Sequence, residues 1–314
     1  MTATTATAAP ADPGKTAAEA KAAVWVGILC YSLWGLLPLF LVQVARQHVD
    51  PWEATAQRCL WAMLFAGGFV ALTGGFGEAL GMLKKPKALA MLGTAAAALA
   101  LNWVLFTWAS IQHHVQDASL AYFINPLLNM VVGWALFKER LSKLGWAAVG
   151  LAAIGVAVQT YELGRLPMVS LGIALTFLAY GIIRKKVAIS AVTGQFIECL
   201  LLAPFGLAYV LWLNAQGLNH FGSGWGPSIW IMLLGPATVI PFSMFAWAAR
   251  RMPFSTLGFL QFIAPTLLFV VALTTGEKLS TLRMISFAFI WAGVALFAFR
   301  AWKTMQDKRR LAAA

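Results

Sequence analysis

The sequence predicts an all-α integral membrane protein. Ten transmembrane helices form two inverted five-helix repeats around a central cavity, with cytoplasmic N- and C-termini. Three observations carry that prediction. Of 314 residues, 61% are hydrophobic and 11% charged, where a soluble domain carries about a quarter charged residues. The apolar residues fall in long runs separated by short charged clusters, as in polytopic membrane proteins. One part of the chain also overlays another at a fixed offset. The 14 tryptophans suit the class, since Trp favours membrane interfaces.

The elements follow in order. Residues 1–22 are rich in Ala and Thr without an apolar core, so they read as a mobile tail, neither signal peptide nor span. Five apolar runs come next, at 24–42, 52–73, 88–110, 117–137 and 143–160. Five more lie at 167–183, 193–213, 228–249, 255–275 and 282–301. A helix needs about 20 apolar residues to cross about 30 Å of hydrocarbon; runs 143–160 and 167–183 are the shortest. Residues 303–314 read as a basic cytoplasmic tail.

Charge sets the orientation. With a cytoplasmic N-terminus, 18 of the 23 Lys and Arg lie on the cytoplasmic side, four lie opposite, and Arg58 sits inside a span. Basic residues favour the cytoplasmic side. This distribution accounts for the net charge of +12 without a nucleic-acid partner, and gives Arg184-Lys185-Lys186 a topological role.

At an offset of 139, Phe106, Trp108, Ala109, Phe123, Ile124, Pro126 and Leu128 fall on Phe245, Trp247, Ala248, Phe262, Ile263, Pro265 and Leu267. After one residue of slippage Glu139 falls on Glu277. The boundaries are 23–162 for the first repeat and 163–302 for the second. Five spans is an odd number, so the second copy runs the opposite way, as in secondary transporters with a midplane site. At about 1.5 Å per residue, Pro126 and Pro265 lie roughly 14 and 15 Å into their spans. Each removes a helical hydrogen bond and frees a carbonyl, of Tyr122 and Gln261. Such breaks face protein or a wet cavity; the alternative is a plain packing kink.

Seven stretches, taken in order and spacing, resemble the drug/metabolite transporter superfamily, and within it the EamA-type carriers of the RarD (chloramphenicol-sensitivity protein) group. They are YSLWGLLPLF (31–40), QRCLW (57–61), NWVLFTWA (102–109), ASLAYFINPLLN (118–129), AYGIIRKK (179–186), TLGFLQFIAPTLLF (256–269) and FAFIWAGVALF (287–297). The resemblance covers about residues 23–302. It implies two inverted EamA repeats, a substrate cavity, alternating access and a multi-pass place in a bacterial cytoplasmic (inner) membrane.

The candidate site residues are the polar and aromatic groups inside spans. Arg58 and Glu198 are the interior ionisable pair, each costing roughly 2.5–3.5 kcal/mol at a helix centre by insertion scales. They are matched in the repeat but lie near opposite faces, so a direct salt bridge is not expected. Arg58 would hold an anionic group near the outer mouth. Glu198 would bind a cation or take a proton near the inner one. The alternative is that both pair locally or snorkel. Asn102, Tyr122, Asn125 and Gln261 suit a solute with polar groups, or interhelical hydrogen bonds. Trp103 and Trp108 would wall the cavity, and Trp34-Gly35 and Tyr180-Gly181 would serve as gate or pivot; packing explains each adequately. His113-His114 shows no metal pattern, although an extracellular pH-sensing role stays open. Cys30, Cys59 and Cys199 read as small buried hydrophobes.

The expected function is a secondary carrier, a probable exporter, of a small organic metabolite or drug-like solute. Its partners are that solute and the lipid bilayer, with protons as candidate coupling ions. No cofactor, metal or enzymatic activity is expected. Two alternatives stay open: a membrane-embedded enzyme acting on a lipid-linked substrate, and a non-transporting sensor or partner subunit.

Overall fold

Helices begin where the sequence supplies caps. Asp50 Oδ1 accepts from the Trp52 and Glu53 N–H groups at 2.8 and 3.4 Å, and Pro51 opens α2 (Pro51–Leu72) with a ring already set for a first turn. Ser142 caps α6 (Lys143–Leu163) through Gly145 N–H, and Gly164, at φ +69°, ends it. The computed structural model describes residues 13–111, 115–165, 167–274 and 280–313. The remaining helices are α1 (Pro13–Ala45), α3 (Phe76–Leu83), α4 (Pro86–Ile111), α5 (Val115–Ala135), α7 (Met168–Lys186), α8 (Ala191–Ala215), α9 (Trp225–Ala249), α10 (Phe254–Gln261), α11 (Ile263–Thr274) and α12 (Thr281–Ala313).

The chain is an all-helical membrane protein. Among the described residues, eight helices are long and apolar enough to span a bilayer: α1, α2, α4, α6, α7, α8, α9 and α12. The fourth and ninth predicted spans correspond to shorter apolar helices, α5 and the interrupted α10–α11. Three departures from the sequence reading have local causes. α1 begins at Pro13, so residues 13–22 of the expected tail are helical; residues 1–12 lie outside the described set. α12 continues through the basic tail instead of stopping near 301. The loop after α2 contains α3, whose eight residues are too few to register as a span; it buries Ala79 and Met82.

The packing is mostly between the first and second halves of the chain. α2 lies along α8, α6 along α12 and α5 along α10, while α4 packs on α7 and α1 on α9. The closest approaches come in reciprocal pairs. A Cβ on Gly155 would lie 2.7 Å from the Ser286 carbonyl, and one on Gly293 would lie 2.7 Å from the Ala148 carbonyl. Positions 155 and 293, and 148 and 286, share one offset. On the α2–α8 seam, a Gly206 Cβ would meet the Ala56 carbonyl at 2.7 Å and a Gly67 Cβ the Phe196 ring at 3.0 Å. Even a polar contact has its counterpart. Asn102 Nδ2 on α4 donates to Thr176 Oγ1 on α7 at 3.1 Å, and Cys30 Sγ on α1 donates to the Pro241 carbonyl on α9 at 3.2 Å.

The proline breaks are not drawn alike. Pro126 and Pro265 are both buried, but α5 runs through Pro126 as one helix. The second segment separates at Phe262, three residues before Pro265, where Phe262 N–H bonds back to Phe259. Pro38, Pro204, Pro236 and Pro241 also lie inside helices. Neighbouring helices readily tolerate such residues in a membrane bundle, so proline within a span does not by itself mark a cavity.

Candidate substrate-binding site

Arg58 sits two turns into α2 with its guanidinium 5.2 Å from the Trp103 ring centroid on α4. A cation over an indole face is worth about 0.5–2 kcal/mol, more where water is excluded. Arg58 Nε is buried without a hydrogen-bond partner. Among the described residues no carboxylate lies within 4.0 Å of it. Tyr122 on α5 is near enough to interact electrostatically with it, and packs edge-on to Phe106 at 6.1 Å. One turn deeper on α5 is Asn125, 5% exposed, whose Oδ1 is also buried and unpartnered. The structure thus brings Arg58, Trp103 and Tyr122 together, with Asn125 below.

The other expected residues are placed differently. Asn102 directs its amide away, to the Ile173 carbonyl at 2.7 Å and to Thr176. Gln261 accepts from Asn129 Nδ2 at 2.7 Å across the α5–α10 contact. Both therefore make the interhelical bonds that were the alternative reading. Trp108 is 39% exposed and stands outside the cluster. His113, His114 and Glu277 lie outside the described residues.

Glu198 makes the local pair that was the alternative reading. Arg184, given a topological role in a cytoplasmic basic cluster by the sequence, is 2% exposed. Its Nη1 lies 3.4 Å from Glu198 Oε1, and its Nη2 donates to the Ala191 carbonyl at 2.8 Å. The guanidinium lies flat against Gly194, where a Cβ would come within 1.9 Å of Nη1. Glu198 thus has a cation of its own instead of awaiting one. Neither carboxylate oxygen makes a well-formed hydrogen bond, the neighbouring Tyr180 hydroxyl donating to Gln195 Oε1 at 3.2 Å, so the pair is ionic contact without full satisfaction. As depth suggested, Arg58 and Glu198 do not pair.

Between these sites the bundle is filled where a central cavity was expected. Trp34 lies 5.1 Å from Phe242, 5.5 Å from Phe177 and 5.7 Å from Phe245 between ring centroids. Tyr180 stacks on Phe245 at 6.0 Å. Gly35 admits α11, with a Cβ there 3.0 Å from the Ala264 carbonyl, and Gly181 admits the Phe245 and Phe254 rings. The concavity along α6 at Ala153, Val156 and Thr160 is far simpler, being walled by one helix and its end.

Two further clusters escaped the sequence reading. Near the ends of α5, α7 and α9, Glu139 accepts from Phe254 N–H at 2.5 Å and from Ser255 N–H and Oγ at 2.9 and 2.6 Å, capping α10. Beside it Lys185 donates to the Ala249 and Met252 carbonyls. At the opposite end, Glu53 is fully buried, accepts from His220 N–H and faces His220 Nδ1, both at 2.7 Å. Glu53 lies at the edge of its apolar run, where a charge draws no notice. The repeat did single out Glu139, but position alone does not reveal a cap.

The comparisons fit this architecture. The EamA-like transporter family matches residues 21–161. An "Uncharacterized transporter" of Pseudomonas aeruginosa is 39% identical over 284 residues, covering 90% of this chain and 94% of that one. "Protein RarD" of Salmonella typhi is 36% identical, covering 93% and 99%, and that of Escherichia coli is 35% identical, covering 92% and 98%. A crystal structure with 20% identity superposes with a TM-score of 0.63 over 88% of this chain and 96% of that one, a likeness of fold.

Proposed function

The chain belongs to the EamA-like transporter family as a RarD-type member of the drug/metabolite transporter superfamily, and from that premise we propose a secondary carrier that exports a small organic metabolite or drug-like solute by alternating access. In this reading the eight long helices, α5 and the α10–α11 pair make ten spans. They form two inverted halves, 23–162 and 163–302, with both termini cytoplasmic in a bacterial inner membrane. The family match ending at residue 161 supports that division, as does the bacterial origin of the relatives for the membrane.

The observation that carries the mechanism is the reciprocity of the seams. Gly155 on Ser286 is repeated as Gly293 on Ala148 at one offset. Two halves that meet through paired, equivalent contacts can rock about a common axis and exchange the roles of outer and inner gate. In this reading the rings about Trp34 and Tyr180 and the Arg184–Glu198 pair serve as the inner closure. Arg58, Trp103, Tyr122 and Asn125 are the groups that would receive the solute in that reading. Any proton coupling would run through Glu198; a pH-gradient dependence that persists in Glu198→Gln removes that role.

Metabolite profiling of cells with and without the chain, followed by counterflow of the accumulating solute in liposomes, tests the reading. Exchange of solute supports a carrier. Product formation or saturable binding without flux would replace it with an enzyme or a sensor.

A further inference from the structure

We propose that the solute is an organic anion, a carboxylate on an apolar body, and that Arg58 receives its charged group. This rests on the carrier reading and names the class of substrate for that site. Membrane-embedded Arg residues ordinarily pair with an acid or with backbone carbonyls, and this chain does so at the related position, where Arg184 holds both Glu198 and the Ala191 carbonyl. Among the described side chains Arg58 shows neither arrangement. Its Nε is buried and unpartnered, and among the described residues no acid approaches within 4.0 Å.

What it does have is an aromatic support. Trp103 lies under the guanidinium at 5.2 Å, itself held edge-on by Phe242 at 6.1 Å. A ring on one face fixes the plane and leaves the N–H edge to bind, and a planar guanidinium matches a carboxylate with two parallel hydrogen bonds. With no acid beside it among the described side chains, an arginine so placed presents a positive charge in an apolar site, which selects against cations by repulsion and against neutral molecules by leaving the charge unpaired. The apolar body follows from the surroundings, Trp103 and Tyr122. Asn125, whose Oδ1 lacks a donor, sits one helical turn deeper on the face of α5 that carries Tyr122. It would accept an N–H or O–H further along the same molecule.

The test uses the full chain in lipid nanodiscs and three probes of one shape: 3-phenylpropionate, 3-phenylpropionamide and 3-phenylpropylamine. Binding is read by equilibrium dialysis of the labelled compounds and by thermal stabilisation. Binding of the carboxylate at least tenfold tighter than the amide, with none of the amine, is the expected result. Arg58→Gln should abolish that preference and Arg58→Lys retain part of it, with both variants melting within a few degrees of the parent. Excess sodium chloride should not displace the carboxylate stoichiometrically; if it does, the site holds a small inorganic anion and the proposal fails. Equal binding of all three probes, binding of none, or an unchanged preference in Arg58→Gln would each overturn it. A solute that exchanges in counterflow yet proves cationic would overturn the anion assignment and leave the carrier standing. Absence of any exchange, with carboxylate binding intact, would do the reverse.

Discussion

Arg58 and Glu198 occupy equivalent places on α2 and α8, and the chain has treated them in opposite ways. Glu198 is fully buried, faces Arg184 at 3.4 Å, and depends on a glycine for the room its partner fills. Arg58 lies on an indole with its Nε unsatisfied and, among the described side chains, no acid beside it. Two halves that share a packing scheme therefore differ in chemistry where they matter most. A matched buried charge serves the fold, because separating it exposes an ion to a low-dielectric interior. An unmatched one contributes little to folding and is available to something that arrives from outside.

The largest expected effects come from the matched side. Gly194→Ala places a methyl group where Arg184 Nη1 now lies. Expelling that guanidinium leaves Glu198 alone, and breaking a buried pair costs about 3–5 kcal/mol. Arg184→Met should do the same, while Arg184→Met combined with Glu198→Leu should recover most of the loss. Thermal unfolding in nanodiscs measures all three. On the unmatched side Arg58→Met should shift stability by no more than about 1 kcal/mol, the cation–π contact being offset by removal of an unpaired charge. If Arg58→Met and Arg184→Met destabilise alike, the distinction between the two sites collapses.

The seam between α2 and α8 sharpens the comparison at a smaller scale. Gly206 abuts a backbone carbonyl, whereas Gly67 abuts the edge of the Phe196 side chain. A ring can turn aside and a carbonyl in a helix cannot. Gly206→Ala should cost about 1–3 kcal/mol, in the range of overpacked cores, and Gly67→Ala distinctly less. Equal losses would mean that the seam yields as a unit.

Much of this was legible in the sequence, for reasons particular residues make plain. Long apolar runs must be helical in a bilayer, so most spans could be read directly. Trp and Pro at a fixed offset pointed to a repeat, and aligning Cys59 with Cys199 set Arg58 opposite Glu198 within it. What escaped depends on distances across the fold. Arg184 stands in a run of three basic residues, and nothing in the run distinguishes the buried member from Lys186. Asn102 and Gln261 have the same chemistry as a binding group or as an interhelical tie; only their partners, Ile173 and Asn129, decide. The two proline segments do meet across the fold, since a Cβ on Gly258 of α10 would lie 2.7 Å from the Pro126 carbonyl.

The first turns of α2 and α8 extend the contrast to a finer effect. α2 is capped by its own Asp50, but the Ser190 side chain caps no N–H of α8. Instead Glu78, on α3, accepts Ser190 N–H at 2.7 Å. Partial burial raises the Glu78 carboxyl, but hydrogen bonds from Ser190 and Thr193 and the nearby Arg250 outweigh it and hold the group below its usual range. The sign follows. A depressed folded pKa gives stability that is present above the ordinary value of about 4.3 and is lost as pH falls through the lower folded value. Because the group is mostly exposed, solvent screening limits the contribution to about 0.5 kcal/mol or less. Glu78→Gln should therefore melt slightly below the parent at pH 7, and the gap should close as the pH is taken below about 4. A gap that persists or widens in acid would show that Glu78 holds α3 to α8 by shape and not by charge, and the two helix starts would then differ in geometry alone.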